Sequence, residues 1–192
     1  FMLYHADMAA QMGAKSLVIG DGSILPALPD GLLADGSPSQ VPGDAGQQWS
    51  QLITDIRAHF TGKIYWMLPD HGSLPMVPDF LKSVDGLYIQ VSAPLSQFES
   101  PSQADLQSSF TTLVDGDILK AHEQTGLPIL LSLQYPSETG AAGACQNENQ
   151  ACLSALALNQ TSQDNPQEDL SLSEQADIYS AALTAITKNA WI

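Results

Sequence analysis

The sequence predicts an α/β protein on a parallel sheet, and three observations carry that expectation. Helix-type and strand-type segments alternate in five units along the chain. Each strand is a near-continuous apolar run, as strands are when both sheet faces are covered. The long polar loops all follow strand C-termini, whereas the helix-to-strand turns at Gly13, Gly62, Gly86 and Gly126 are short. That asymmetry favours part of a parallel (β/α)8 TIM barrel over an open doubly wound sheet, because barrel enzymes carry their working loops at that end. Gly20-Asp21-Gly22 opens a long loop rather than a helix start that would cradle a phosphate.

The elements follow in order. Tyr4 to Met12 reads as a helix stopped by Gly13, and Lys15 to Ile19 as a short strand. Residues 23–46, rich in Gly, Pro, Asp and Ser, form a long loop at that strand's C-terminal end. Trp49, Leu52, Ile53, Ile56 and Phe60 recur at helical spacing, and Lys63 to Leu68 supplies the next strand before Pro69-Asp70-His71-Gly72. Phe80 to Val84 is a short helix and Leu87 to Ser92 a strand. Leu106, Phe110, Leu113 and Val114 mark one helix running towards Thr125-Gly126, followed by strand Ile129 to Leu133. A loop of about thirty residues precedes the last helix, where Ser171 and Glu174 have capping-box spacing and Leu172, Ala176, Tyr179, Leu183 and Ile186 form the apolar stripe. Ala190 to Ile192 is expected to open a further strand. Residues 1–192 read as one domain, expected to be a piece of a longer chain that supplies N-terminal strands and the last strand.

Composition narrows the function. The chain has 192 residues with 6 Lys and Arg against 21 Asp and Glu, a formal charge of −15. So acidic a surface argues against nucleic acid, whose recognition needs basic side chains to displace phosphate counterions. No apolar run approaches the roughly 20 residues of a membrane span, and anionic headgroups would repel the surface, so no membrane role is expected. Hydrophobic residues at 44% suffice for a folded core. Cys145 and Cys152 can close a small disulfide ring in an oxidising compartment; the alternative is two free thiols. With the low pI of about 4.1 and few lysines, the pair points to an extracellular or cell-surface protein. Their spacing and the absence of histidine partners argue against zinc, and the acidic loop residues Asp164, Glu168 and Asp169 lack the spacing of a calcium loop, so no metal site is expected.

Leu127 to Ser137, the following Gly140-Ala141-Ala142, and Glu174-Gln175-Ala176-Asp177-Ile178-Tyr179 ahead of Trp191 resemble the C-terminal half of barrel glycosidases. The nearest pattern is that of the β-mannanase-like family of retaining glycoside hydrolases. There a strand ending in Tyr-Pro-Ser is followed by a Gln-Ala-x-x-Tyr helix and a Trp-bearing strand. Tyr4 to Ala10 through Ile19-Gly20-Asp21 resembles the helix and strand leading to that family's Gly-Asn-Glu. The resemblance implies a carbohydrate partner, no cofactor, and hydrolysis by two carboxyl groups. The departures are specific. Aligned on Tyr135-Pro136-Ser137, the nucleophilic Glu falls on Ser132; aligned on Ile19-Gly20, the acid/base Glu falls on Gly22. Serine cannot form the glycosyl ester, and glycine cannot transfer a proton.

Other carboxylates can be weighed as replacements. Asp21 adjoins the lost acid/base position and Glu138 follows the end of the Ile129 strand, so they are the candidate catalytic pair; the plainer role for Asp21 is to cap a turn. Asp70 and His71 share a strand C-terminus, where a His beside a carboxylate suits acid/base chemistry, or simply form a polar loop tip. Trp66, Tyr135 and, more weakly, Tyr88 can offer ring faces to sugars or pack in the core. Gln90, Gln134 and Ser137 are neutral groups at the same rim, suited to sugar hydroxyls. The readings left open are an active hydrolase, a barrel that binds glycan or protein without turnover, and a structural segment of a larger secreted protein.

Overall fold

The computed structural model describes residues 1–20, 37–38, 40–70, 77–97, 101–143 and 171–192. Four strands, β1 (Ser16–Gly20), β2 (Lys63–Asp70), β3 (Gly86–Val91) and β4 (Ile129–Leu133), form one sheet in the order β1-β2-β3-β4. Every neighbouring pair is parallel. The helices are α1 (Met2–Gln11), α2 (Ala45–His59), α3 (Gln103–Leu113), α4 (Leu119–Thr125) and α5 (Leu172–Ile186). A five-residue 3-10 helix, Asp79–Ser83, stands between β2 and β3.

The register sorts the strand residues into two faces, since paired residues of a parallel ladder point the same way and alternate residues point oppositely. One face carries Ile19, Ile64, Trp66, Leu68, Leu87, Ile89, Val91 and Ile129, all buried. They join a single core with Ile53, Ile56 and Phe60 of α2, Phe110 of α3 and Ile178 of α5. The opposite face carries Val18, Tyr65, Met67, Tyr88, Gln90, Leu130 and Ser132. None of these is buried, Leu130 is 48% exposed, and Val18, Met67 and Leu130 take no part in that core. Among the described residues, the apolar face of the helix layer therefore closes over one side of the sheet.

Polar groups fix the joints of this layer. The Asp85 carboxylate accepts the Ile64 amide at 2.8 Å, at the start of β2, and the Arg57 guanidinium at 2.9 Å, while Arg57 also donates to the Ser83 carbonyl. One short acidic side chain thus ties α2, β2 and the turn into β3 together. Gly126 ends α4 with φ +70°, a left-handed residue that glycine adopts without a Cβ clash.

Three elements differ from the sequence expectation. The helix expected from Leu106 to Thr125 is interrupted by a π segment, Val114–Ile118, in which Gly116 sits at φ −92°, ψ −107°. Glycine between Asp115 and Asp117 has the lowest helix preference in the stretch, and the wider turn is accommodated there. β2 runs two residues further than its apolar run, taking in Pro69 and Asp70. Ala190–Ile192 is a turn, not a fifth strand: Asn189 N–H donates to Ile186 O and Ile192 N–H to Asn189 O. The segment is nevertheless anchored. The Trp191 ring stacks on His122 with centroids 4.7 Å apart, and its carbonyl accepts the Ile129 amide at the first residue of β4.

Candidate functional site at the C-terminal rim of the sheet

Parallel pairing brings all four strand C-termini to one end, so most of the expected site residues gather there. Asp70 is the last residue of β2, in register with Val91, and Pro69 is in register with Gln90. Gln90 is in turn paired with Ser132 on the face the helices leave uncovered. Gln134 completes this row, its carboxamide donating to the Ser132 hydroxyl at 2.9 Å. The Ser132 hydroxyl is thus engaged by a neutral amide. Tyr65, Met67 and Tyr88 lie on the same face nearer the strand starts. Tyr65 escaped the sequence reading; alternation along β2, once phased on buried Trp66, would have found it.

Of the aromatics that could either offer ring faces to sugars or pack in the core, Trp66 and Tyr135 are in the core. Trp66 is 2% exposed on the helix-covered face, with Trp49 edge-on at 5.5 Å and Phe80 at 5.4 Å. Tyr135 is equally buried, its ring against Phe110 and its hydroxyl donating to the Ala93 carbonyl at 2.7 Å. A strand residue on the covered side is directed into the helix layer however close it is to the rim.

The loop that follows β4, residues 134–143, is bonded to neighbouring elements on both sides. Its start is tied to β3, as Gln134 N–H donates to Val91 O. Ser137 Oγ donates to Gln175 Oε1 at 2.7 Å, Gln175 Nε2 donates to Tyr135 O at 2.9 Å, and Ser171 N–H donates to Ser137 O. Glu174 reaches over with both carboxylate oxygens, accepting the Gly140 amide at 2.9 Å and the Ala142 amide at 3.1 Å. On the other side the Ala142 carbonyl accepts the amides of Leu95 and Ser96. A Cβ on Gly143 would collide with the Ser96 carbonyl oxygen, so the loop lies directly on the backbone that follows β3. Glu138 is half-buried within this stretch and its carbonyl accepts the Ala141 amide.

The capping box expected at α5 is thus half formed. Ser171 Oγ accepts the Glu174 amide at 3.3 Å, but the Glu174 carboxylate turns to the loop instead of its own N-cap. A complete capping box, which the sequence reading missed, stands at α3 between Ser102 and Asp105. Its serine hydroxyl holds the Asp105 carboxyl below the usual carboxylate range, with the Ser102 amide adding to the effect.

Asp21, His71, Cys145 and Cys152 lie outside the described residues, as do Asp164, Glu168 and Asp169. Among the described residues, no group of three or more His, Cys, Asp or Glu is arranged to hold a metal ion, and no helix is long and apolar enough to cross a membrane.

No family model matches the chain, and no curated protein matches it. Solved structures match its fold. The structure of a GH113 β-1,4-mannanase superposes on 100% of this chain and 47% of its own, with a TM-score of 0.62 at 14% identity. A complex structure of a GH113 β-1,4-mannanase gives 0.60 at 14% identity over the same shares. The GH113 β-mannanase AaManA from Alicyclobacillus acidocaldarius, in complex with ManMIm, gives 0.50 at 16% identity, covering 99% of this chain and 46% of that one. At such identities the likeness is one of fold, and the chain spans about half the length of these neighbours. Its four parallel strands and one-sided helix layer make a partial TIM-barrel-like α/β fold.

Proposed function

We propose that this chain forms about half of a (β/α)8 barrel of glycoside hydrolase type, which acts on or binds a β-linked polysaccharide at the C-terminal rim of its strands. The observation that carries the proposal is the one-sided sheet. Its uncovered face ends at the rim in Gln90, Ser132 and Gln134, neutral hydrogen-bonding groups that suit sugar hydroxyls. The likeness in fold to β-1,4-mannanases supports the same substrate class. In a closed barrel the uncovered face becomes the interior, which barrels fill with side chains. Leu130→Asp then destabilises the whole protein by several kcal/mol, as burial of an unpaired carboxylate does. A change within about 0.5 kcal/mol, normal for a surface site, would speak against closure.

For catalysis we assign Asp21 as proton donor and Glu138 as nucleophile or base, with Asp70, His71, Gln90, Gln134 and Ser137 around the sugar. Ser132 and Gly22 stand where the resembling family has its glutamates, so hydrolysis by the standard pair is expected to be weak or absent. The Gln134 to Ser132 bond favours a second reading, a barrel that binds glycan without turnover, because it completes a neutral pair where a nucleophile would need a free carboxylate. An extracellular or cell-surface location, with Cys145 bonded to Cys152, accompanies either reading.

The test is hydrolysis and binding of a β-mannan and β-glucan panel by the full-length protein, beside Asp21→Asn and Glu138→Gln. Turnover lost in both variants supports the assigned pair, and retained or inverted product stereochemistry then reports whether the carboxyls stand about 5 Å or about 6.5–9.5 Å apart. Robust turnover in both variants rejects the assignment. Binding without turnover selects the second reading, and neither binding nor turnover rejects the carbohydrate function.

A further inference from the structure

We infer that Glu174 and Gln175, at the start of α5, are positioning residues that hold the loop after β4, and with it Glu138, in the form that meets the sugar. The inference rests on the carbohydrate reading above and adds to it two side chains of α5 that bond to the loop itself. Loops that contact ligands are usually the least stable parts of a fold. This one is held from both sides: four hydrogen bonds come from the two side chains of α5, and the Ala142 carbonyl accepts two amides from the segment after β3. Gly140, Ala141 and Ala142 are buried, so their backbone groups have no ready substitute partner in water. Glu174 is the central member, because a carboxylate has two acceptor oxygens and here each takes one amide. A carboxamide of the same shape cannot do this, since its NH2 would face an N–H donor. Gln175 is suited in the opposite way: its carboxamide accepts from the Ser137 hydroxyl and donates to the Tyr135 carbonyl, a pairing that a carboxylate cannot supply.

The discriminating experiment uses the full-length protein with Glu174→Gln, Glu174→Asp and Gln175→Glu, and Glu123→Gln on exposed α4 as control. Amide hydrogen exchange is followed at Gly140, Ala142 and the sheet residue Ile89, and affinity is measured by calorimetry with β-1,4-mannohexaose and cellohexaose. In Glu174→Gln the Gly140 and Ala142 amides are expected to exchange at least about tenfold faster, with Ile89 unchanged, and affinity for the better-bound oligosaccharide to fall by about tenfold or more. Glu174→Asp keeps the charge on a shorter arm and recovers part of both. If Glu174→Gln fails to fold, the Asp variant and Gln175→Glu carry the same comparison. Faster exchange with unchanged affinity overturns the positioning role, and unchanged exchange overturns it whatever the affinity does. A wild-type protein that binds neither oligosaccharide rejects the carbohydrate reading and this inference with it, an outcome visible in the wild-type arm alone.

Discussion

The starts of α3 and α5 share one sequence pattern, a serine followed three residues later by an acidic residue, and the two helices use it differently. At α3 the exchange is closed: Ser102 accepts the Asp105 amide, and Asp105 accepts the Ser102 amide at 3.1 Å and its hydroxyl at 2.6 Å. At α5 the serine still caps, but Glu174 spans to Gly140 and Ala142, more than thirty residues back in the chain. One extra methylene is the relevant chemical difference. Asp105 is long enough only for its own N-cap, whereas Glu174 can choose, and two buried amides of the β4 loop outcompete a single amide of its own helix. The same local signature therefore serves folding of one helix in the first case and long-range placement of a rim loop in the second.

The largest expected effect separates these roles. Glu174→Ala leaves two buried amides without acceptors, at about 1–3 kcal/mol each, and should lower stability in denaturant unfolding by well over 2 kcal/mol. Asp105→Ala removes only exposed, local bonds, and its midpoint should move far less. Equal shifts for the two variants would erase the distinction between an internal cap and a loop support. Gly143→Ala approaches the same loop from its other side: the added methyl meets the Ser96 carbonyl, and a cost of about 1–3 kcal/mol is expected from the forced backbone shift. Thermal unfolding of that variant beside Gly43→Ala, whose Cβ would meet nothing within 4 Å, checks that the effect is one of contact and not of glycine loss in general.

The elements were largely legible because they depend on short-range patterns. Apolar runs located all four strands, and the step of Trp49, Leu52, Ile53, Ile56 and Phe60 located α2. What the sequence could not provide was the sense of each residue within its run. Ile64, Trp66 and Leu68 face the helices while Tyr65 and Met67 face away, and a run apolar on both faces contains no phase. For that reason Trp66 reads from the sequence as either a core residue or a sugar platform and only the register puts it in the core, while Tyr65 is passed over. Ala190 to Ile192 reads as a strand by composition, but hydrogen bonds from Asn189 and Ile192 fold it into turns that composition does not reveal. The sequence reading sets Gln90, Gln134 and Ser137 at one end by strand order alone, yet only the β3 to β4 register pairs Gln90 with Ser132, the residue whose hydroxyl Gln134 engages.

A smaller effect tests the serines. Ser102→Ala removes the hydroxyl that accepts the Asp105 amide and should cost about 1 kcal/mol, the usual size for an N-cap. Ser171→Ala should cost no more, since its acceptor bond to Glu174 is longer at 3.3 Å, and it should leave the Ser171 amide bond to the Ser137 carbonyl intact. If Ser171→Ala instead proved the more damaging of the two by denaturant midpoint, the Ser171 hydroxyl would be supporting more than its own helix start.

The smallest effect is a pH dependence, and its sign follows from the direction of one shift. The Asp105 carboxyl is held below its ordinary range because its charged form accepts bonds from the Ser102 hydroxyl and amide. A carboxyl with a lower pKa in the folded than in the unfolded chain binds protons less readily when folded. Its contribution is therefore fully present above the unfolded value and is lost as pH falls through the folded one. The group is fully exposed, so solvent screening keeps the contribution small. Carboxyl-resolved NMR titration should give Asp105 a midpoint below that of an unstructured aspartate, and Ser102→Ala should move it back upward. The unfolding midpoint of wild type should then fall slightly more than that of Asp105→Asn between pH 5 and pH 3. An Asp105 titration that Ser102→Ala leaves in place would mean that the box is not what lowers it, and α3 would lose its claim to a self-contained start.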